Sequence, residues 1–542
     1  MSRETRATGP GGGTADAAGR GTRAAGLPQE GRVTRSGGLP QEPYDVTVVG
    51  AGVVGAALAR ELARYRLRVA VVEAADDVGE GTSKANTAIL HTGFDAVPGS
   101  LEARLVRDGQ RRLSAYAAAC GIPVERVGAL LIAWDEEQLA ALPGLLEKAG
   151  RNGYDEAALL DAAEVRAREP HLGPGALGAL EVPGESVICP WTTPLAFATQ
   201  AVRSGVDLHL NCRVAAVVQG DAADGTPHTL RTSRGDVHTR HLVNAAGLHA
   251  DTVDRMLGHD TFTVTPRRGQ LIVFDKLARD LVRHILLPVP TALGKGVLVA
   301  PTVYGNVLLG PTAEDLDDKR ATDSTAEGLA GLREKGARIL PALLDEDVTA
   351  VYAGLRAATE DDDYRIRAWP GQRYVTVGGI RSTGLTASMA IAAYVTDLLA
   401  DIGLDLGGGP RELAPVTMPN LGEAFPRPYQ RADLIAADPE YGAVVCHCER
   451  VTRGEIRDAL VSTVPPGSLD GLRRRTRARG GRCQGFYCGA AVRELFERGE
   501  WGDRGDQGDW GDRGRRDGLG GRGNRDDVAG RGERPAARRT AR

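Results

Sequence analysis

The stretch Tyr44-Asp-Val-Thr-Val-Val-Gly50-Ala-Gly52-Val-Val-Gly55 restricts the fold of this chain more than any other. Its apolar run reads as a buried strand, G-x-G-x-x-G as a tight turn, and Ala56 to Tyr65 as the helix that follows. Gly50 permits the turn, Gly52 lets the backbone approach a pyrophosphate, and Gly55 lets helix pack on strand, with the helix N-terminus facing the phosphates. The next strand, Arg68 to Val72, ends at Glu73, whose carboxylate suits ribose hydroxyls and disfavours the 2′-phosphate of NADP. Spacing alone is weak evidence. Gly518-Leu-Gly520-Gly-Arg-Gly523 also matches, yet no strand precedes it. The first match predicts a nucleotide site and leaves FAD and NAD open.

At 542 residues the chain exceeds what one core serves, so two folded domains with extensions are expected. Residues 1–43 repeat Gly-Leu-Pro-Gln-Glu, lack an apolar period and are expected to be disordered. Residues 44–414 alternate short Val/Ile/Leu runs, such as Leu271 to Phe274, with Ala-rich helical stretches, which fits an α/β layer architecture. A proline-rich linker, 415–440, leads to a small helical module over 441–498. The tail, 499–542, mixes Gly, Arg and Asp, and its aspartates argue against RNA binding. A net charge of −4 gives no case for nucleic acid or an anionic membrane. No apolar run spans a bilayer and no signal pattern opens the chain, so a cytoplasmic protein is expected, reaching membranes only peripherally through a partner.

Seven cysteines in so long a chain do not suggest a disulfide framework, and Cys120, Cys189 and Cys212 stand singly. The other four form two pairs, Cys446 and Cys448 as C-x-C and Cys483 and Cys488 as C-x₄-C. Thr452-Arg-Gly-Glu455 reads as a capping box and Ser468 or Asp470 as a second helix start, so four thiolates can converge from two loops beside helix N-termini. Iron–sulfur and zinc both remain open, although C-x-C fits the usual zinc spacing poorly. His447 sits between ligands and reads as a neighbour of the centre. Arg473, Arg474, Arg475, Arg477, Arg479 and Arg482 could offset a cluster's charge, dock an acidic electron partner, or form a solvated helix face.

Gly81-Thr82-Ser83-Lys-Ala-Asn86-Thr-Ala-Ile-Leu-His91-Thr-Gly93 resembles the flavin-contacting segment of the D-amino acid oxidase-like flavoproteins, in particular their glycerol-3-phosphate and L-2-hydroxyglutarate dehydrogenase branch. Further matches, in family order, are Val243-Asn-Ala-Ala-Gly247, Pro266-Arg-Arg-Gly-Gln270, Lys295-Gly296 with Gly310 to Glu314, Ala353-Gly-Leu-Arg356, and Gly378-Gly379-Ile-Arg381-Ser-Thr-Gly384-Leu385-Thr386. The cysteine module resembles the bacterioferritin-associated ferredoxin type of [2Fe–2S] domain fused to anaerobic glycerol-3-phosphate dehydrogenase catalytic subunits. The resemblance implies an α/β (α+β) fold: a Rossmann-type FAD-binding domain interleaved with an antiparallel-sheet substrate domain, plus the helical [2Fe–2S] module.

It also implies FAD held by Gly50, Gly52, Gly55, Glu73, Thr82, Ser83, Asn86, Gly247, Gly379, Gly384, Leu385 and Thr386, and a [2Fe–2S] cluster on Cys446, Cys448, Cys483 and Cys488. Thr87-Ala88 departs from the Ser-Gly more usual there. His91 is the expected base, since an imidazole titrates near neutral pH. Arg356 and Arg381 are the expected clamps for a small anionic substrate, with Arg268 and Lys295 as weaker candidates. The implied activity is a dehydrogenase, with glycerol 3-phosphate first, an L-2-hydroxy acid second and an amine or proline third. Its electrons would pass through the cluster to an acceptor on a partner subunit. The reading from another class is a non-catalytic redox or iron sensor.

Overall fold

The computed structural model describes residues 30–221, 225–290 and 296–498. Its first large sheet is built on Val33–Thr34 (β1), Tyr44–Val49 (β2) and Val69–Val72 (β3). From one edge inward the order is β1, Asp207–His209, β3, β2, Gly235–Asn244, with every neighbouring pair parallel. Val46, Val48, Val69 and Val71 are buried, as strands covered on both faces require. Helix Val53–Leu62 (α1) packs on this sheet, and Tyr374–Gly378 adds a further parallel strand beside Leu242–Asn244.

A small antiparallel sheet follows, in which Ile89–Leu90 (β4) and Val124–Glu125 both pair with Ser186–Ile188 (β5). The second large sheet is mainly antiparallel. Its longest pair is Thr265–Phe274 (β6) with Val348–Ala358 (β7), and its outer strands come from 129–182. The strands of the two large sheets therefore alternate along the chain, which gives the expected mixed α/β architecture of a Rossmann-type layer interleaved with an antiparallel one. Helix Gly384–Asp401 (α2) runs against α1 and Leu101–Cys120 in the shared core.

Residues 444–498 form a two-stranded hairpin and the helices Arg453–Leu460 (α3), Leu469–Thr476 (α4) and Gly489–Arg498 (α5). The capping box is present in both arms: Glu455 N–H donates to Thr452 Oγ1 at 3.3 Å and Thr452 N–H to Glu455 Oε2 at 2.8 Å. Ser468 caps α4.

Two expectations change. Disorder over 1–43 fails for residues 30–43: β1 extends the sheet, Leu39 is buried, and Arg35 donates to the carbonyls of Asp76 and Pro465. That strand gains a parallel neighbour in Asp207–His209, a pairing too distant in sequence to read from local composition. The expected linker 415–440 lies along the larger domain, with Val416, Met418 and Leu421 buried and Arg427 buried against Glu455 at 3.1 Å. Residues 1–29 and the 499–542 tail lie outside the described residues. Among the described residues, no helix is long and apolar enough to cross a membrane.

Candidate functional site

The dinucleotide turn is as tight as its glycines require. Gly50 has φ +102°, and a Cβ there would meet the Ala245 carbonyl oxygen at 2.6 Å, while one on Gly55 would meet the Gly50 oxygen at 1.9 Å. Gly52 precedes α1 and offers no side-chain cap, so the helix start presents its N–H groups, one of which donates from Val53 to Ser83 Oγ at 2.9 Å. Glu73 accepts N–H bonds from Ala51 at 2.6 Å and Ala75 at 2.8 Å, and burial pushes its carboxyl above the usual range. Gly247 (φ +56°) lies just beyond the adjoining strand Gly235–Asn244. This cradle, which a Cβ would fill, fits a dinucleotide.

The 82–91 segment lies across from it. Asn86 Nδ2 donates to the Ser83 carbonyl at 2.9 Å and its Oδ1 accepts from Ala88 N–H at 2.8 Å, which folds Thr82 to Ala88 into a tight loop. Strand β7 approaches it closely. A Cβ on Gly354 would meet the Ala85 oxygen at 2.1 Å, and the Tyr352 hydroxyl donates to the Asn86 carbonyl at 2.9 Å.

Register then decides the surroundings of His91. In the antiparallel pair of β4 with β5, Leu90 faces Ser186, so the next step places His91 beside Glu185. Their side chains meet at 3.0 Å between Nδ1 and Oε2, with Glu185 fully buried. Glu185 Oε1 also accepts from Thr92 N–H at 2.7 Å and Thr92 Oγ1 at 3.0 Å. His91 N–H donates to Thr386 Oγ1 at 3.0 Å, which ties the histidine to the first turn of α2. Gly384, Leu385 and Thr386 open that helix, whose N-cap Thr383 gives no side-chain cap, and Gly379 before it has φ +66°.

The cations separate clearly. Arg356 on β7 makes a hydrogen bond of 3.4 Å to the Thr312 carbonyl, and among the described residues no carboxylate pairs with it. Burial holds its guanidinium below the ordinary range, with Arg267 a smaller influence in the same direction. Arg381 is engaged by Asp362 at 2.6 Å and Glu102 at 3.6 Å. Arg268 is consumed by Glu314 at 2.6 Å and the Asp323 carbonyl at 3.0 Å. Lys295 lies outside the described residues.

In the cysteine module, Cys446 and Cys488 are buried and interact with each other, and the half-buried Cys448 and Cys483 do the same. Burial pushes the Cys446 thiol up to about 11, whereas backbone N–H groups of Tyr487, Gly485 and Phe486 aimed at its sulfur hold Cys483 below its usual range. Close packing of the two loops depends on Gly481, where a Cβ would meet Cys448 Cβ at 2.3 Å. Among the described residues no three His, Cys, Asp or Glu side chains converge as one ion would need. Two sulfur pairs with N–H donors suit a two-iron centre better than a single zinc.

The family model described as FAD dependent oxidoreductase matches residues 45–398. The chain belongs to that family. A second model, the BFD-like [2Fe-2S] binding domain, matches residues 444–498, so the flavoenzyme takes FAD and a [2Fe–2S] cluster as its cofactors. It is 36% identical over 460 residues, 84% of this chain and 94% of the relative, to a protein named glycerol 3-phosphate dehydrogenase from Caloramator mitchellensis. It is 27% identical over 501 residues, 84% of this chain and 88% of the relative, to a subunit of the anaerobic glycerol-3-phosphate dehydrogenase of Escherichia coli K12. The FAD-bound, dithionite-reduced L-alpha-glycerophosphate oxidase of Mycoplasma pneumoniae superposes with a TM-score of 0.63 at 29% identity, covering 70% of this chain and 98% of that one.

Sequence reading of the flavoenzyme missed Glu185 and Tyr352. Gly184-Glu185-Ser186 carries no motif, and only the β4–β5 register brings it to His91. Of the three readings open for the arginine cluster, none names the acids that the structure gives it, which lie in this chain. Arg475 makes a two-pronged bond to Asp77 at 2.5 and 2.7 Å, joined by Arg474 at 3.3 Å, and Arg477 bonds Glu449 at 2.9 Å. Arg482 pairs with Asp275 at 3.0 Å.

Proposed function

We propose that the flavoenzyme is a dehydrogenase of a small anionic secondary alcohol, glycerol 3-phosphate to dihydroxyacetone phosphate, whose electrons leave through the [2Fe–2S] cluster to a partner protein. The observation that carries this reading is a half-buried Arg356, with no carboxylate partner among the described residues, in the same domain as a histidine held by a buried carboxylate. The similarity to proteins named for glycerol 3-phosphate supports the substrate. FAD, held by the Gly50–Gly55 turn, the 82–86 loop and the start of α2, would supply a hydride acceptor for the alcohol carbon, and a cluster on Cys446, Cys448, Cys483 and Cys488 would supply one-electron chemistry.

The chain's own residues do the rest. Thr92 N–H and Oγ1 both donate to Glu185, which thus stands as an acceptor, so His91 is assigned its hydrogen on Nδ1 and Nε2 is the basic nitrogen that takes the hydroxyl proton. The Glu185 charge then stabilises the imidazolium that forms. Arg356 holds the anionic end of the substrate as a planar fork. The α2 N-terminus directs its N–H groups and positive dipole end toward charge developing on the cofactor side. Thr386 joins the two functions by bonding His91.

The exit for electrons lies beside Cys483. Phe486 and Tyr487, 85% and 79% exposed, stand in the loop between Cys483 and Cys488 and give an acceptor protein an apolar contact next to the cluster.

Anaerobic addition of glycerol 3-phosphate, 2-hydroxyglutarate, lactate or proline to purified protein tests the reading. Glycerol 3-phosphate is expected to bleach the flavin band and then reduce the cluster. Bleaching by 2-hydroxyglutarate or proline alone would move the assignment to the second or third substrate. No bleaching by any of them would leave the sensor reading. His91→Gln should slow bleaching by roughly 10² to 10⁴ at saturating substrate. Arg356→Met should act mainly through weaker substrate binding.

A further inference from the structure

Between the 82–86 loop and the cluster module lies a set of rings and one buried cation that the proton chemistry leaves unused. Trp191 stacks on Tyr304 with centroids 5.1 Å apart and planes 23° from parallel. The Trp191 indole N–H donates to the Lys84 carbonyl at 2.9 Å, inside the loop that carries Ser83 and Asn86. From the module side Arg477, 6% exposed, places its guanidinium 4.2 Å from the Tyr304 ring and 5.9 Å from Trp191. Its Nε donates at 2.9 Å to Glu449, the residue after Cys448, and its Nη2 donates to Asn306 Oδ1 at 3.2 Å. Contacts therefore run unbroken from the Lys84 carbonyl through indole, phenol, guanidinium and carboxylate to the residue beside Cys448.

We propose that the Trp191–Tyr304 stack, closed by Arg477, is the path by which electrons cross from the flavin site to the cluster. This rests on the flavin-to-cluster route proposed above. Each crossing removes one electron from reduced flavin and adds one to the oxidised cluster. The second follows once an external one-electron acceptor has reoxidised the cluster, and neither ring is left oxidised. Burying an arginine across a domain boundary is costly unless it is fully paired. Here pairing and cation–π contact both fix the rings, so Arg477 is a positioning residue. Aliphatic side chains would fill the same space, but they lack the delocalised electrons that shorten the gap between donor and acceptor.

The test uses the full protein carrying both cofactors, with flavin reduced anaerobically by light and a sacrificial amine donor, so the outcome does not depend on the substrate. Growth of the reduced cluster's electron paramagnetic resonance signal is followed after rapid freezing. Trp191→Leu and Tyr304→Leu are expected to slow that growth by about tenfold or more, while Trp191→Phe and Tyr304→Phe stay within about threefold of the parent. Iron and flavin content should be unchanged. Should a leucine variant lose a cofactor, Trp191→Met and Tyr304→Met, which fill more of the volume, decide by the same measurement. Arg477→Met should also slow cluster reduction, and Arg477→Lys less so. Cluster reduction in the leucine or methionine variants within about twofold of the parent would overturn the path. If light-reduced flavin in the parent never reduces the cluster, the flavin-to-cluster reading itself fails. A parent that couples normally beside unaffected variants removes only the stack.

Discussion

Around Gly50 and Gly384 the backbone is shaped by close glycine contacts inside an extensive apolar core, whereas around Cys446 and Cys488 the core is a handful of side chains, Val451, Ile456, Leu472 and Val492 chief among them. The module's loops also hold Arg450, Arg477, Arg479 and Gln484 at positive φ, a conformation that disfavours side chains. The flavin half can stand on burial of apolar surface. The module, with so small an apolar core, is tied to the larger domain by buried ion pairs, and in the function proposed above its cysteines add a metal centre. A region that carries left-handed arginines beside its cysteines is expected to need bonds stronger than packing to keep them there.

The largest effect that would break this contrast is loss of one proposed ligand. Cys446→Ser should abolish the cluster, seen as loss of iron and acid-labile sulfide, and amide exchange over 444–498 should accelerate by about tenfold or more, while FAD content is retained. Unchanged protection in the cluster-free protein would show that the module stands on packing after all.

Next in size is the boundary. Asp77 is fully buried and receives Arg475 and Arg474, and the approach is close enough that a Cβ on Gly471 would meet Asp77 Oδ2 at 2.4 Å. Asp77→Ala leaves the buried Arg475 without a carboxylate, while Arg474 keeps Glu80 and Asp470, and should destabilise the docked module by about 3–5 kcal/mol, read as an earlier urea midpoint for loss of the cluster's visible absorbance. Asp77→Ala combined with Arg475→Met should recover part of that loss. If the single and double variants lose equally, the pair is not what holds the boundary.

What the sequence disclosed follows the same division. The strand–turn–helix, Glu73, the α2 start and the four cysteines were legible because each is a local pattern with a backbone reason. Arg356 was legible only through resemblance, and nothing local distinguished it from Arg381, whose charge Asp362 and Glu102 occupy. Glu185 was invisible because its partner stands 94 positions earlier and only strand register joins them. The arginine-rich helix was legible as charged but not as buried, since its acids, Asp77 and Glu449, lie outside any window around it. Long-range polar pairing is what composition and periodicity do not encode.

A smaller test concerns polar groups inside the flavin half. His209 is buried between Thr34 Oγ1 at 2.8 Å and the Tyr44 hydroxyl at 3.1 Å, and burial lowers its pKa from 6.5 to about 4. The unfolded chain therefore binds a proton that the folded chain refuses. Stability from this residue is constant above about pH 6.5 and falls as pH drops through 4, by roughly 3 kcal/mol in all. His209→Gln should lower stability at pH 7 yet flatten the dependence between those limits in urea titrations. An equally steep fall in the variant would assign the acid sensitivity elsewhere, for example to the carboxylates that anchor the module.

The smallest effect sits where the chain departs from the pattern it resembles. Ala88 has φ +57°, a region glycine adopts freely, and it is held there by Asn86 Oδ1 and by its carbonyl's bond from Ile188 N–H at 2.9 Å. A side chain at such a position costs about 1–2 kcal/mol. Ala88→Gly removes that strain, but it also removes a buried methyl worth about 0.8 kcal/mol and adds about 0.4–1 kcal/mol of unfolded-state entropy. The terms nearly cancel, so thermal stability should change by no more than about 0.5 kcal/mol, where a buried Ala→Gly elsewhere in the core would be clearly destabilising. Ala88→Val, by contrast, forces a β-branched side chain into the left-handed region and should release flavin on gel filtration, because the loop it distorts is the one bonded to Tyr352 and Trp191. A tolerated valine would mean that the 82–88 loop can relax, and the cradle would then owe its shape to bound flavin rather than to the strands that surround it.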